Sequence, residues 1–143
     1  MNNRTLAIIK PDAIKENYTG KILSMIIDAG FKIKAMKMVR VSRSSAEGFY
    51  KIHKGRPFYE PLIDYITSEP VIAIALEKEN AVKDFRKLIG ATDPVKAEKG
   101  TIRKLYAKNT RENAVHGSDS NENAVIEIAH FFSFHELLTN YDS

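Results

Sequence analysis

The sequence lacks cysteine altogether. This absence excludes disulfide bonds, catalysis by a thiol, and zinc or iron–sulfur sites with cysteine ligands. The chain also lacks any apolar run near the ~20 residues that a membrane-spanning helix needs, so no membrane partner is expected. It has no internal repeat, low-complexity tract or linker, and we therefore expect residues 1–143 to form a single domain. Met1–Arg4 leads directly into a strand-like segment, which predicts no signal peptide and a cytoplasmic location.

The composition is that of an ordinary globular protein. Hydrophobic residues make up 43% of the chain and charged residues 28%. The net charge of +4 favours anionic partners. Nucleotides and nucleic acids are both anionic, so charge alone does not distinguish between them.

Hydrophobic periodicity predicts strands separated by helices. Gly30 and Gly90 each end a predicted helix, and Pro11 ends the first strand. The stretch from Gly90 to Asn113 shows no clear period and is predicted to be a long loop, which is usually functional in a compact domain. The predicted elements are strands over 5–10, 31–41, 71–76 and 129–132 and helices over 20–29, 45–51, 61–67, 81–89 and 120–128. This order predicts an α+β sandwich in which one layer of helices covers a sheet.

The second predicted strand alternates between apolar and basic residues. This pattern is typical of a half-buried strand with one face in solvent. The residues expected to face the core are Phe31, Ile33, Ala35 and Met38, and those expected to face water are Lys32, Lys34 and Lys37.

The segment Asn113–Ser120 combines one histidine with glycine, serine and aspartate. It is poor in apolar side chains, so we expect a tight turn before a helix and not a core strand. Ser118, Asp119 and Ser120 are all residues that cap helices, and Asp119 with Glu122 approximates a capping box. A histidine near a helix N-terminus lies where phosphate binds readily. The segment therefore indicates phosphoryl transfer through a ring nitrogen of His116.

Four motifs along the chain resemble those of the nucleoside diphosphate kinases. They are Lys10-Pro11-Asp12, Arg56-Pro57-Phe58, Gly100-Thr101-Ile102-Arg103 and the segment Asn113–Ser120. The resemblance implies a ferredoxin-like sandwich with a four-stranded antiparallel sheet covered by helices. It also implies ping-pong transfer of the γ-phosphate from a nucleoside triphosphate, typically ATP, to a nucleoside diphosphate. Mg²⁺ would assist, held mainly by the nucleotide phosphates, and the reaction would maintain the NTP and dNTP pools.

The resemblance also implies catalytic roles for three residues. His116 matches the nucleophile, Glu127 the carboxylate that orients its ring, and Tyr50 a tyrosine near the γ-phosphate. A neutral imidazole has a ring lone pair that can attack phosphorus. From the residues alone, His116 could be a packing or capping histidine, Glu127 a solvated helix residue, and Tyr50 a core aromatic.

Six further residues match the nucleotide-binding positions of the family. Cations near the transferring phosphoryl group stabilise the charge that spreads over its oxygens. An aromatic ring stacks on any base, because every base has a π-face. The phosphate-binding matches are Lys10, Arg86, Arg103 and Thr92, the ribose match is Asn113 (with Lys10 also reaching the sugar), and the base-stacking match is Phe58.

Two departures from the family pattern are visible. Lys104-Leu105-Tyr106 follows Arg103, where the family often has a small residue, an acid and an aromatic. This change could alter loop contacts or the subunit interface. Thr110 occupies a place where an apolar residue often faces the base, which could weaken stacking. We expect altered affinity without loss of the chemistry.

Other functional classes are weaker matches. A nucleic-acid module would display aromatic residues on its strands, and the lysine-rich second strand does not. A P-loop is excluded because Gly20-Lys21 lacks the upstream glycine and the following hydroxyl residue. The four histidines do not have zinc-ligand spacing. A catalytically dead scaffold of the same fold remains the non-enzyme alternative.

Family members assemble as homo-oligomers, either tetramers or hexamers. The segment Tyr141-Asp142-Ser143 ends the chain earlier than in many hexameric relatives. We therefore expect a homo-oligomer, with a tetramer slightly favoured over a hexamer.

Overall fold

A computed structural model describes residues 3–138 of the chain. The expectations that rest on the first two residues and on Tyr141–Ser143 lie outside the described residues. The strands are β1 (Arg4–Ile9), β2 (Lys32–Val39), β3 (Val71–Glu77) and β4 (Val115–Gly117). The helices are α1 (Pro11–Lys15), α2 (Thr19–Asp28), α3 (Arg43–Phe49), α4 (Tyr59–Ser68), α5 (Ala81–Ile89), α6 (Ile102–Tyr106), α7 (Asn121–Phe131) and α8 (Phe134–Leu137), with a 3₁₀ turn at Lys51–His53.

The strands form one four-stranded sheet in the order β2-β3-β1-β4. All three neighbouring pairs are antiparallel, which confirms the sheet that the family resemblance implies. β1 and β3 occupy the two central positions, and their residues are almost all buried. Apolar side chains on both faces are what a central strand requires.

Helices cover both faces of the sheet and enclose two hydrophobic cores. One core lies between the sheet and helices α1, α2, α5 and α6, and its largest fully buried side chain is that of Phe85. The other lies between the sheet and helices α3, α4 and α7, with Ile63 and Ile128 among its members. The expectation of a single helix layer is therefore wrong. Alternate residues of β1 and β3 enter alternate cores, so these strands need a helix layer on each side.

The orientation predicted for the second strand is wrong at Lys34 and Met38, whereas Ala35 packs against the core that contains Ile63, as predicted. The pairing of β2 with β3 shifts register between Ile33 and Ala35. This bulge turns Lys34 inward, where it is 2% exposed, and turns Met38 outward, where it is 59% exposed. A bulge inserts one extra residue and exchanges the two faces of the strand after it. A two-residue pattern cannot predict this exchange.

The fourth strand lies in the segment that we expected to be a turn. β4 is only three residues long, and it pairs with β1 along the edge of the sheet. The strand predicted over 129–132 is wrong, because helix α7 continues to Phe131. The N-cap of α7 is Ser120 and not Asp119. The Ser120 hydroxyl accepts a hydrogen bond from the Asn123 amide.

The long predicted loop contains one short helix, α6, whose N-cap is Thr101. Gly90 ends α5 with a φ of 87°, a backbone conformation that glycine adopts readily. Among the described residues, no helix is long and apolar enough to cross a membrane.

Candidate functional site

A cavity of about 560 Å³ opens beside β4. Its walls come from the end of β1, the segment from α3 to α4, helices α5 to α7 and β4. All nine candidate residues line it, although they come from every part of the sequence. They are Lys10, Tyr50, Phe58, Arg86, Thr92, Arg103, Asn113, His116 and Glu127.

His116 occupies the middle of β4 and pairs with Ile8 of β1. Its neighbour Val115 belongs to the core beneath α5. Side chains alternate along a strand, so the imidazole projects to the opposite face, toward α3 and α7. Its side chain is 20% exposed, which leaves the ring accessible from the cavity.

One ring nitrogen of His116 is held by a carboxylate. Nε2 lies 2.8 Å from Oε1 of Glu127, which lies on α7 and is itself only 17% exposed. The Ser118 hydroxyl donates to the same Oε1 at 2.8 Å and accepts from the Leu6 amide at 3.1 Å. A carboxylate is an acceptor, so Nε2 carries the proton and the lone pair is on Nδ1.

Lys10 follows β1 directly and is 7% exposed. Its Nζ donates to Oδ1 of Asn113 at 2.9 Å. Burial and the nearby Arg103 lower the pKa of Lys10 to about 8, while Asp12 partly opposes the shift. The cation is therefore held in a poorly solvated position at the floor of the cavity.

Arg103, on α6, is tied to the backbone on two sides. Its two terminal nitrogens donate to the carbonyls of Gly90 at 3.0 Å and Val115 at 2.8 Å. Burial, followed by repulsion from Arg86, lowers its pKa to about 10. Its buried Nε has no hydrogen-bond partner among the described residues. A buried unpaired donor costs free energy, which the two bonds to backbone carbonyls offset.

The remaining candidates lie around the rim and the wall. Tyr50 is buried, and burial together with Glu127 holds the pKa of its hydroxyl far above the usual range. Tyr50 belongs to a hydrophobic core and also lines the cavity. Phe58 is 44% exposed at the mouth, so core packing does not explain it. Arg86 and Thr92 are exposed residues on the opposite side.

This arrangement suits an anionic substrate that exchanges a group with an imidazole. Lys10, Arg86 and Arg103 provide positive charge, and Nδ1 of His116 provides a lone pair. An exposed aromatic ring at the mouth provides a flat apolar surface. A phosphate ester with a planar base has the matching chemistry.

A family model described as nucleoside diphosphate kinase matches residues 3–137. The chain belongs to the nucleoside diphosphate kinase family. It is accordingly a phosphotransferase, and its family-level activity is transfer of phosphoryl groups between nucleotides.

Curated relatives and solved structures agree with this membership. A nucleoside diphosphate kinase of Phenylobacterium zucineum is 54% identical over 138 residues, which cover 96% of this chain and 99% of the relative. One from a Geobacter species is 56% identical over 135 residues, covering 94% and 98%. The Aquifex aeolicus nucleoside diphosphate kinase structure has a TM-score of 0.92 at 43% identity, covering 95% of this chain and 99% of the other. A Halobacterium salinarum nucleoside diphosphate kinase in complex with CDP has a TM-score of 0.93 at 35% identity, covering 97% and 93%.

Sequence reasoning missed two residues beside His116. Ser118 was interpreted as a helix cap, but it is fully buried and connects Glu127 to β1. Phe49 lies with its ring edge toward His116, at 5.5 Å between ring centroids. Spacing did not reveal these roles, because Phe49 is far from His116 in sequence and the Ser118 hydroxyl accepts from Leu6, 112 positions away.

The two departures from the family pattern lie in different places. Thr110 lines the cavity. Lys104 donates to the carbonyls of Pro94 and Val95 at 3.4 and 3.3 Å, and Tyr106 packs against Tyr18 at 4.7 Å between ring centroids. The Lys104-Leu105-Tyr106 departure therefore involves contacts within the long loop and a contact between α6 and Tyr18, which precedes α2.

A metal site built from protein groups alone is not found. Among residues 3–138, no three histidine, cysteine, aspartate or glutamate side chains come together as a metal-binding group. Two carboxylates line the cavity, and that of Glu127 is engaged by His116 and Ser118. Asp119 is the other. One carboxylate fits a cation such as Mg²⁺, which keeps several waters and binds mainly through substrate phosphates.

Proposed function

We propose that His116 carries the phosphoryl group as a phosphohistidine between a nucleoside triphosphate donor and a nucleoside diphosphate acceptor. The supporting observation is the bond from Nε2 to Glu127, which directs the Nδ1 lone pair away from the carboxylate. Nδ1 attacks the γ-phosphorus of the donor, and the bond to the bridging oxygen breaks as the diphosphate leaves. The acceptor then takes the phosphoryl group from Nδ1 by the reverse path.

The cations around the cavity bind and stabilise the reacting phosphates. Charge spreads over the peripheral oxygens in the transition state, and fixed donors act there without reorganisation. The guanidinium of Arg103 and the ammonium of Lys10 both line the cavity and are such donors. Arg86, Thr92 and the buried Tyr50 hydroxyl complete the proposed phosphate contacts.

The nucleoside is bound through its sugar and by stacking. Asn113 and Lys10 contact the ribose, and Phe58 stacks on the base at the mouth. A half-exposed ring with open space beside it discriminates weakly among bases. This supports a broad role in maintaining NTP and dNTP pools. The Halobacterium relative was solved with CDP, which supports a diphosphate acceptor.

Mg²⁺ is the proposed cofactor. The nucleotide phosphates, with Asp119 in the lining of the cavity, would hold it. When bound, the ion supplies neutralisation of phosphate charge. Lys10, Arg86 and Arg103 hold the phosphates whether or not the ion is present.

We further propose one domain, a cytoplasmic location and assembly as a homo-oligomer. β2 is an edge strand, and it exposes Met36 and Met38 to 48% and 59%. An exposed apolar edge is a surface that pairing with another chain would cover. The mass from light scattering distinguishes the tetramer from the hexamer. Nucleic acid is not the proposed primary partner.

The test is the intact mass after incubation with ATP and magnesium in the absence of acceptor. We expect one added phosphoryl group on the wild type, lost when a nucleoside diphosphate is supplied. His116→Ala should gain none, whereas His130→Ala, which removes an exposed histidine of α7, should behave as the wild type. A wild type that binds ATP but gains no phosphoryl group would contradict the proposal.

A further inference from the structure

A strained turn precedes β4. The Val115 amide donates to the Asn113 carbonyl at 2.8 Å, which closes a three-residue turn. Its central residue, Ala114, has a φ of 73° and is fully buried. A γ-turn with positive φ is rare and strained, and it persists only when surrounding structure holds it. Glycine would adopt this conformation easily, but the position is occupied by alanine.

The N-terminal segment holds both polar groups of Ala114. Its amide donates to Oδ2 of Asp12 at 3.0 Å, although the two residues are 102 positions apart. Its carbonyl accepts from the Lys10 amide at 2.9 Å. The conformation of the turn is therefore fixed from outside by the segment that follows β1.

Asp12 is in turn fixed by Tyr65 of α4. The Tyr65 hydroxyl donates to Oδ1 of Asp12 and accepts from the Asp12 amide at 2.9 Å. Asp12 is 5% exposed, so its carboxylate has little contact with water. Burial, and then the bond to Asp12, keep the pKa of Tyr65 far above its usual range, so the hydroxyl remains a donor.

The turn determines where the functional groups on either side of it lie. Asn113, the first residue of the turn, accepts from the Lys10 ammonium through its side chain. Val115, the last residue of the turn, accepts from Arg103 through its carbonyl, and His116 follows. Asp12 and Tyr65 belong to the described part of the chain but lie outside the lining of the cavity. Apart from the charge of Asp12, which partly opposes the lowering of the Lys10 pKa, their contacts lead to the reacting groups through the turn. Tyr65→Phe keeps that charge in place.

We propose that Asp12, oriented by Tyr65, is a positioning residue for phosphoryl transfer that holds the strained Asn113–Val115 turn. This role rests on the proposed function of His116. Release of the turn would move Asn113 and His116 relative to Lys10. A displacement of about 1 Å at a reacting centre costs up to roughly a hundredfold in rate.

The test compares Tyr65→Phe and Asp12→Asn with a matched control. Tyr59→Phe makes the same change at another buried tyrosine of α4, one that does not contact the turn. The rate of phosphohistidine formation from ATP is measured in a single turnover, alongside nucleotide affinity and the thermal midpoint. We expect a fall of roughly tenfold for Tyr65→Phe and up to a hundredfold for Asp12→Asn. Tyr59→Phe should react at the wild-type rate.

Combining Asp12→Asn with Ala114→Gly distinguishes an effect on the position of the turn from a general loss of stability. Glycine lowers the cost of the positive φ, so the turn depends less on its clamp. We therefore expect the loss caused by Asp12→Asn to shrink in that background. The positioning role alone would be overturned if Asp12→Asn lowered the rate by the same factor with and without Ala114→Gly. It would also be overturned if Tyr65→Phe and Asp12→Asn reacted at the wild-type rate. A wild type that forms no phosphohistidine would overturn both this role and the proposed function.

Discussion

At the scale of single residues, the site depends on which ring nitrogen of His116 is free. Glu127 accepts a hydrogen bond from Nε2, and Ser118 donates to the same carboxylate oxygen. The ring of Phe49 packs against the imidazole. A carboxylate in this position both selects the tautomer and favours the positive charge that develops on the ring during transfer. The two effects are separable by substitution.

We predict that Glu127→Gln slows transfer and that Glu127→Ala slows it further, by roughly a hundredfold. Glutamine keeps an acceptor for Nε2 but loses the negative charge, whereas alanine loses both. Nucleotide affinity, measured by equilibrium dialysis, should be nearly unchanged. Glu122→Gln in the first turn of the same helix is the control and should leave turnover as in the wild type. Unchanged turnover in Glu127→Ala would count against the orienting role.

The lowered pKa of Lys10 predicts an alkaline limit to activity. The free enzyme loses this cation as pH rises through about 8, so kcat/KM should fall above that pH. Arg103 titrates higher, near 10, and does not contribute to this first fall. The measurement is a pH profile of kcat/KM. Lys10→Met should be slower and flat across the same range, and a fall that persists in this variant would reject the assignment.

The same shift has a consequence for stability, of opposite sign. Below about pH 8 the folded protein must hold a buried lysine cation, which is unfavourable. Between about 8 and 10.5 the unfolded chain binds the proton and the folded protein does not. The contribution of Lys10 to the free energy of unfolding therefore rises with pH across this window.

At the scale of elements, β4 is positioned by close packing on α5. A Cβ atom added at Gly117 would lie 2.8 Å from Cδ2 of Phe85 and 3.1 Å from Cδ1 of Ile89. Both side chains are nearly fully buried and cannot move away freely. The glycine after His116 therefore sets how closely the strand approaches the helix.

We predict that Gly117→Ala lowers the free energy of unfolding by about 1–3 kcal/mol and slows transfer, because β4 must shift. Gly20→Ala in α2 is the control, since its added Cβ would have no atom within 4 Å. That change should stabilise the helix by roughly 0.5–1 kcal/mol. Thermal and denaturant unfolding measure both. Equal stability in the two variants would show that the strand has room beside Phe85.

Sequence reasoning predicted the central elements better than the edges. β1 and β3 are buried on both faces, so most of their residues are apolar. This pattern predicted both strands to within one residue of their observed ends. β4 was missed because three residues, held largely by a partner strand, have no pattern of their own. Lys34 was misplaced because a bulge depends on the pairing strand.

The same distinction applies to the site. The nine candidate residues were found through the resemblance to the family, and they lie around one cavity, though their individual roles stay predictions. The bond of Ser118 to Leu6, the packing of Phe49 on His116 and the bond of Asp12 to Ala114 join distant segments. Such contacts leave no trace in local spacing, so only the folded chain could show them.

At the scale of the whole molecule, the exposed edge of β2 predicts how copies associate. We expect Met36→Glu combined with Met38→Glu to lower the mass measured by light scattering at a fixed protein concentration. Charges on a sheet edge oppose pairing. Ile126→Glu on α7 places a charge at a site that is 67% exposed and should leave the mass unchanged. A double variant of wild-type mass would exclude this edge as the interface.

The order of the strands has a consequence for how the protein is made. Lys10 leaves the ribosome early, yet its partner Asn113 lies 103 positions later. Throughout most of synthesis, the nascent chain holds a central strand that still lacks its β4 neighbour, and three of the four phosphate-binding candidates, Arg86, Thr92 and Arg103, are translated only in the last two fifths of the chain. Nucleotide can therefore act only as a ligand of the finished fold, stabilising it by mass action. Added during refolding, it should slow unfolding while leaving the rate of folding unchanged.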